Sequence, residues 1–286
     1  MLAVIIPPSI LMIVWGGVIS TSIGAMYLAG IVPGLLIALA QMVTVHVYAK
    51  IYDYPVYPRA TLKEFFLSGW QSLPALFTPF IIVGGILLGW FTATESAAVA
   101  VIYAATLSIF IYREMDRKHL YQAFADTGRL AAIALFCVGT ASAFGWLLAY
   151  YQIPKALLAN VGSWGLGITG VGFFIAFVFL VVGCFLDAIP AIIIVGTILQ
   201  PLAHSVGMHP IHFAIIGIVS LAFGLVTPPY GLCLMISCAV AKVPLKFALK
   251  DTLIMLVPML LMLAAIIVWP EIPLFLPRLI SPELVK

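Results

Sequence analysis

The sequence predicts an all-α polytopic membrane protein with proline-broken transmembrane helices, inverted-topology repeats and a re-entrant helical hairpin. Three observations carry that expectation. Of 286 residues, 64% are hydrophobic and only 8% charged, against about 25% charged in soluble domains. A Pro-Pro pair interrupts two apolar runs, at Pro7-Pro8 and at Pro228-Pro229. One apolar stretch, 169–204, is too long for a single crossing and carries Gly183, Asp187 and Pro190 at its centre.

A bilayer-crossing helix needs about 20 predominantly apolar residues. That length predicts spans near 1–20, 27–49, 70–91, 96–112, 129–150, 209–241 and 248–269. The opening MLAVIIPPSI lacks a basic n-region, so no cleavable signal is expected. The 169–204 stretch divides into two arms of about 15 residues around its central breakers, which favours a hairpin over two full crossings. Charge supports the same reading. Lys50, Arg59 and Lys63 share one loop, Arg113, Arg117, Lys118 and Arg129 a second, and Lys242, Lys246 and Lys250 a third. Excess Lys and Arg in short loops mark the cytoplasmic side. All three loops are cytoplasmic only if 169–204 enters and leaves from the same face. The net charge of +3 therefore reports topology, and no nucleic-acid partner is expected.

Each Pro-Pro pair is followed by a VP-x-LL element, beginning at Val32-Pro33 and at Val257-Pro258. The predicted topology runs the two broken spans in opposite senses, the relation found in many secondary transporters. Residues 1–49 then end a first repeat, 50–168 form a connecting arm and scaffold helices, 169–270 form the second repeat with hairpin 169–204, and 271–286 form a C-terminal tail. All belong to one transmembrane transporter domain, 1–286. Symmetry asks for a further hairpin ahead of Pro7-Pro8, so the first hairpin is expected to be missing and the chain to be N-terminally truncated. The chain by itself is then expected not to transport.

Pro228 and Pro229 carry no N–H, so the carbonyls of Gly224 and Leu225 lose their helical donors. Pro190 does the same to Leu186. In hydrocarbon an unsatisfied carbonyl costs several kcal/mol, so protein, water or an ion must supply the contact. A half-helix C-terminus favours a cation and a half-helix N-terminus an anion. Two facing breaks thus read as a site for Na⁺ and a carboxylate. A proline kink satisfied by a neighbouring helix is the alternative for either break taken alone.

The chain resembles the large membrane subunit of the tripartite ATP-independent periplasmic (TRAP) transporters. The resemblance rests on IPPSI, YLAGIVPGLL, FTATESAAVAVIYA, GCFLDAIPAIIIVGTILQPLA, MHPIHFAIIGIV, GLVTPPYGL and LFLPRLI, in this order through nearly the whole chain. It implies a Na⁺-driven, elevator-type importer of organic acids such as C4-dicarboxylates or sialic acid in the bacterial inner membrane. It also implies a small four-helix membrane partner and a periplasmic binding protein that delivers substrate. Carried onto this sequence, it places Na⁺ at Gly183, Asp187, Ala188, Gly224, Thr227 and Pro228. Substrate then falls at Pro190, Ser220, Pro229, Gly231, Pro7, Pro8 and Ser9. The chain departs from the family pattern at Ser220, where the family often has Asn, and at Ala93, where it often has Pro. A stand-alone sodium/dicarboxylate symporter is the alternative within transport.

The remaining polar residues have plainer readings. Asp187 lies deep in an apolar stretch, where a carboxylate is expensive and functional more often than capping. Glu95 is expected in the first turn of a helix capped by Thr94. His204, His209 and His212 match no zinc spacing and read as surface or packing residues. Trp15, Trp90, Trp146, Trp164 and Trp269 fall near span ends, as in an interfacial aromatic belt. The segment from Lys50 to Gly69, with Tyr52, Tyr54, Tyr57, Phe65 and Phe66, reads as an interfacial arm or helix, either lying on the membrane or packing on a partner subunit. Cys137, Cys184, Cys233 and Cys238 have no metal or disulfide spacing. An intramembrane enzyme would need a nucleophile beside a base, for which only Ser142, Ser237 and Asp187 stay open. No catalytic residue and no organic cofactor are expected.

Overall fold

A computed structural model of the chain describes residues 2–54, 58, 60–229 and 231–285, so Tyr57, Arg59 and Lys286 lie outside the described residues. Every element among the described residues is helical. A short α1 (Leu2–Ile5) and α2 (Ile10–Ile19) flank the first Pro-Pro pair, and α3 (Ile23–Ile51) follows. Next come α4 (Leu62–Leu87), α5 (Ala93–Thr106) with a π-helical continuation to Ile111, α6 (Arg117–Tyr150) and α7 (Ile153–Gly162). The stretch expected to form a hairpin comprises α8 (Ile168–Gly183), α9 (Ala188–Ala191), a π-helical turn Ile192–Gly196 and α10 (Thr197–Ser205). The second Pro-Pro pair separates α11 (Pro210–Gly224) from α12 (Leu232–Ala241). Last are α13 (Leu245–Val268) and α14 (Glu271–Ile280), the latter occupying most of the expected tail. Seven helical segments among the described residues are long and apolar enough to cross a membrane, and α8, α11 and α12 are apolar but shorter.

The chain divides into two compact units, residues 1–45 with 134–286 and residues 46–133. In the first, α11 is the central element. It is buried from Ile211 through Gly224, as expected of a helix apolar all round. Helices α1, α2, α8, α13 and α14 pack on it. Contact with α8 is close because glycines meet at the crossing: a Cβ on Gly224 would lie 2.7 Å from the Gly183 backbone. Above it, Trp15 of α2 stacks edge-on against Phe213, ring centroids 5.1 Å apart, and lies 5.7 Å from Phe179. Trp15 is fully buried, which corrects its expected place in an interfacial belt. Gly217 makes the room, since a Cβ there would strike the Trp15 ring at 2.4 Å. Trp90, Trp146, Trp164 and Trp269 are exposed.

The second unit is held by α4 against α5. Ser96 of α5, fully buried, donates to the carbonyls of Ile81 and Ile82 at 3.3 and 3.0 Å. Tyr103 donates to Pro74 at 2.9 Å. Helix α4 starts at Leu62, earlier than apolarity alone predicts, because Thr61 and Glu64 form a capping box. The C-terminal part of the expected arm, with Phe65 and Phe66, is thus the first turns of α4. Both aromatics are exposed.

Candidate functional site

Helix α11 starts at Pro210 with His209 as its N-cap, whose Nδ1 accepts the Ile211 N–H at 3.2 Å. It stops at Gly224 because the next turn would need donors from Pro228 and Pro229. The chain folds back instead. The Thr227 N–H donates to Gly224 O at 2.9 Å and the Cys233 N–H to Leu225 O at 3.1 Å. Each of the two carbonyls thus takes one protein donor in place of its helical one and keeps a second lone pair. The carbonyls of Val226 and Thr227 turn toward Gly231, 3.5 and 3.4 Å from where a Cβ would stand. Gly231 also has φ +46°, so glycine answers both constraints. Thr227 Oγ1 donates to Phe223 O at 2.7 Å and keeps its acceptor capacity.

The hairpin tip is the second break. Phe185 and Leu186 donate to Val182 O at 2.9 and 2.8 Å, closing α8. Leu186 O accepts no hydrogen bond among the described residues, since its helical donor would be Pro190. Asp187 occupies the N-cap position of α9 with extended backbone, yet its side chain makes no cap bond. The reason is local. In N-caps the carboxylate takes the N–H of the second or third helical residue, and here the third is Pro190, which leaves Ile189 as the one remaining donor. Among the described residues the exposed Asp187 carboxylate has no partner.

Pro7 and Pro8 make the third break. Ser9 is buried and its hydroxyl donates to Val4 O. Both Pro-Pro peptide bonds, at 7-8 and 228-229, are cis.

These breaks converge. A cleft of about 400 Å³ is lined by Pro8 from the first Pro-Pro segment, Asp187 and Ala188 from the hairpin tip, and Leu225 from the second Pro-Pro segment. Gly183 and Gly224 meet backbone to backbone. Pro7 and Ser9 flank Pro8, and Thr227, Pro228, Pro229 and Gly231 follow Leu225 within one turn or two. Pro190 sits inside α9. Ser220 stands apart: it is fully buried within α11 and donates to Ile216 O at 2.7 Å. Sequence reasoning missed Ala3, Val4, Ile10 and Leu11, which also line the cleft. Their side chains carry no polar atom, so nothing in the residue type marks them.

The other candidates are structural. Glu95 belongs to a capping box with Thr92, its carboxylate accepting the Thr92 N–H at 2.8 Å. The cap is Thr92 and the helix starts at Ala93, which corrects the expected Thr94. His212 is buried and its Nε2 lies 2.9 Å from Ile266 O. Among the described residues no three His, Cys, Asp or Glu side chains cluster as metal ligands, and all four cysteines are free. The breaks therefore offer backbone carbonyls, the Ser9 and Thr227 hydroxyls and the Asp187 carboxylate, a hard-oxygen donor set.

Residues 1–272 match the family described as "Tripartite ATP-independent periplasmic transporter, DctM component". The chain is 36% identical over 277 residues to the C4-dicarboxylate TRAP transporter large permease protein DctM of Pseudomonas aeruginosa, covering 97% of this chain and 65% of that one. It is 36% identical to the ectoine/5-hydroxyectoine TRAP transporter large permease protein UehC of Ruegeria pomeroyi, covering 96% and 64%. It is 33% identical to the sialic acid TRAP transporter large permease protein SiaM of Vibrio cholerae, again covering 96% and 64%. The chain thus spans just under two thirds of the length of these relatives, which are named as transporter permeases rather than enzymes. With seven helices fit to cross a bilayer, this is a multi-pass protein of the bacterial inner membrane and belongs to the DctM component family of the tripartite ATP-independent periplasmic transporters.

Proposed function

We propose that this chain forms the substrate-translocating core of the large permease subunit of a Na⁺-driven importer of organic acids. The observation that carries the reading is the cleft in which two Pro-Pro segments and the hairpin tip meet at Asp187. Na⁺ is cargo here. Its ligands are drawn from the carbonyls of Val226, Thr227 and Leu186, the Thr227 hydroxyl and the Asp187 carboxylate, with Gly183, Ala188, Gly224 and Pro228 shaping the backbone around them. Hard oxygens suit a small alkali cation. The substrate lies toward Pro8, Pro229 and Gly231. Among the described residues no Lys or Arg lines the cleft, so the positive charge that balances a carboxylate comes from the bound Na⁺ and from half-helix N-termini. The acids in the relatives' names, C4-dicarboxylates, ectoine and sialic acid, all present a carboxylate and otherwise share little.

In this reading the two Pro-Pro segments are related by an inverted repeat, and 169–204 re-enters from one face. Helix α8 suits a re-entrant arm and α11 a half-membrane broken span: at 16 and 15 residues they measure about 24 and 22 Å, short of a hydrocarbon core about 30 Å thick. The segment Ala188–Ser205 is long enough by composition to count as a span, and in this reading it returns beside α8, which it contacts. The breaks move as one body in an elevator-type cycle. A small four-helix membrane subunit and a periplasmic binding protein complete the assembly.

The test is uptake by the full-length transporter in proteoliposomes, with and without a Na⁺ gradient and with and without the binding protein. Thr227→Val should weaken Na⁺ dependence about tenfold, one modest ligand's worth at about 1.4 kcal/mol, with the fold intact. Uptake that ignores Na⁺, or unchanged Na⁺ affinity in the variant, overturns the site. Full activity without the binding protein returns the stand-alone symporter.

A further inference from the structure

Away from the breaks, in the unit formed by residues 46–133, a second cleft of about 260 Å³ opens between α5 and α6. Ala104, Ala105 and Ser108 line one side at helical spacing, and Ala123, Phe124 and Thr127 line the other. The small side chains leave the two helices apart. At one end the chain closes the cleft: the Glu114 N–H donates to Ser108 O at 3.1 Å, and Met115 forms the end wall. That turn carries Arg113, Arg117 and Lys118, all exposed. Among the described residues none of the three forms a salt bridge. Nearby, Asp116 is bonded to His119 and Asp126 pairs with Arg129 at 3.5 Å. Three cations thus face Glu114 as the one carboxylate of the turn without a partner.

The geometry points to a binding site for an anionic phospholipid, with one acyl chain in the α5–α6 cleft and the phosphate on Arg113, Arg117 and Lys118. An apolar cleft between two membrane-crossing helices is filled by something apolar. The three exposed, unpaired cations at its closed end call for an occupant that joins an apolar tail to a negative charge. The charge at the mouth selects among lipids, since Lys and Arg beside the membrane surface attract anionic headgroups, and this turn belongs to a basic loop of the cytoplasmic side.

Native mass spectrometry of the purified full-length transporter, titrated with phosphatidylglycerol or with phosphatidylcholine of identical chains, tests the site. The wild type should retain one phosphatidylglycerol in preference to phosphatidylcholine. Arg117→Gln with Lys118→Gln should lower phosphatidylglycerol binding by about 25-fold, some fivefold per charge removed, and leave phosphatidylcholine unchanged. Ala105→Phe should reduce retention of both lipids by filling the cleft. If that variant fails to fold, the charge pair, which lies on the surface, decides alone. Equal retention of the two lipids by the wild type, or full phosphatidylglycerol binding by the charge variant, overturns the proposal. So does protection of Ser108→Cys from maleimide by a second protein chain in delipidated protein.

Discussion

Asp116 and Asp187 each stand immediately before a helix, at the start of α6 and of α9, and the two carboxylates have opposite fates. Asp116 accepts the His119 N–H at 2.8 Å, three residues on. Asp187 has extended backbone and no cap bond, and the residue three on, Pro190, has no N–H to offer. One proline converts a capping side chain into an uncommitted one. The same contrast runs through their surroundings. The Asp116 region satisfies its polar groups locally, as do the capping boxes Thr61–Glu64 and Thr92–Glu95. Among the described residues the Leu186 carbonyl and the Asp187 carboxylate have no protein partner, while the Gly183 and Gly224 backbones press together nearby in the chain. Polar groups left open in a hydrocarbon setting are costly, and functional sites are where such cost persists.

The largest effect expected from this contrast is on activity. Asp187→Asn in the full-length transporter should cut Na⁺-driven uptake by roughly tenfold or more, at least the 1.4 kcal/mol of one coordination contact, with an unchanged melting temperature. Asp116→Asn should leave uptake as it is. Equal losses in the two variants would erase the distinction. Packing comes next. Gly224→Ala puts a methyl 2.7 Å from the Gly183 backbone, which cannot yield as a flexible side chain would, and overpacking of this kind costs about 1–3 kcal/mol. Gly128→Ala, in α6 with nothing within 4 Å of its Cβ, should instead stabilise by up to about 1 kcal/mol through helix propensity. Thermal unfolding followed by size-exclusion fluorescence separates the signs.

Pro190→Ala bears on the cause of the contrast itself. It restores an N–H at the third position of α9, so Asp187 gains a capping partner worth about 1 kcal/mol. The hairpin should become more stable and uptake should fall severalfold, a gain and a loss from one atom. Increased stability with full uptake would show that the open carboxylate is not needed.

Much of this was legible in the sequence, for reasons that differ by residue. Pro7, Pro8, Pro190, Pro228 and Pro229 announce their breaks because a missing N–H is a property of the residue wherever it lies. Asp187 stood out because a carboxylate is rare in an apolar run. Other features are properties of pairs. The 2.7 Å approach of Gly224 to Gly183 and the burial of Trp15 against Phe179 and Phe213 arise from helices distant in sequence, and no local pattern encodes them. The Gly224 and Leu225 carbonyls found donors only because the chain turned back after Val226. T-x-x-E was present at both Thr61 and Thr92, yet an apolar count places helix starts by hydrophobicity and slides past a polar first turn.

The smallest expected effect is a pH dependence at Asp116. The His119 N–H donated to its carboxylate holds the Asp116 pKa below the usual value, with further help from the His119 ring. The unfolded reference is about 3.9. A carboxylate depressed on folding stabilises fully above the unfolded pKa, and that contribution fades as pH falls through the folded value. The first turn of α6 should therefore fray only below about pH 4. Amide exchange at His119 and Leu120, measured between pH 6 and pH 3, should accelerate relative to mid-helix amides at the acid end. Asp116→Asn caps about as well as Asp and has no proton to gain there, so its relative exchange should stay flat across the range. Fraying that begins near pH 6 in both proteins would assign the effect to another group and detach the first turn of α6 from the Asp116 carboxylate.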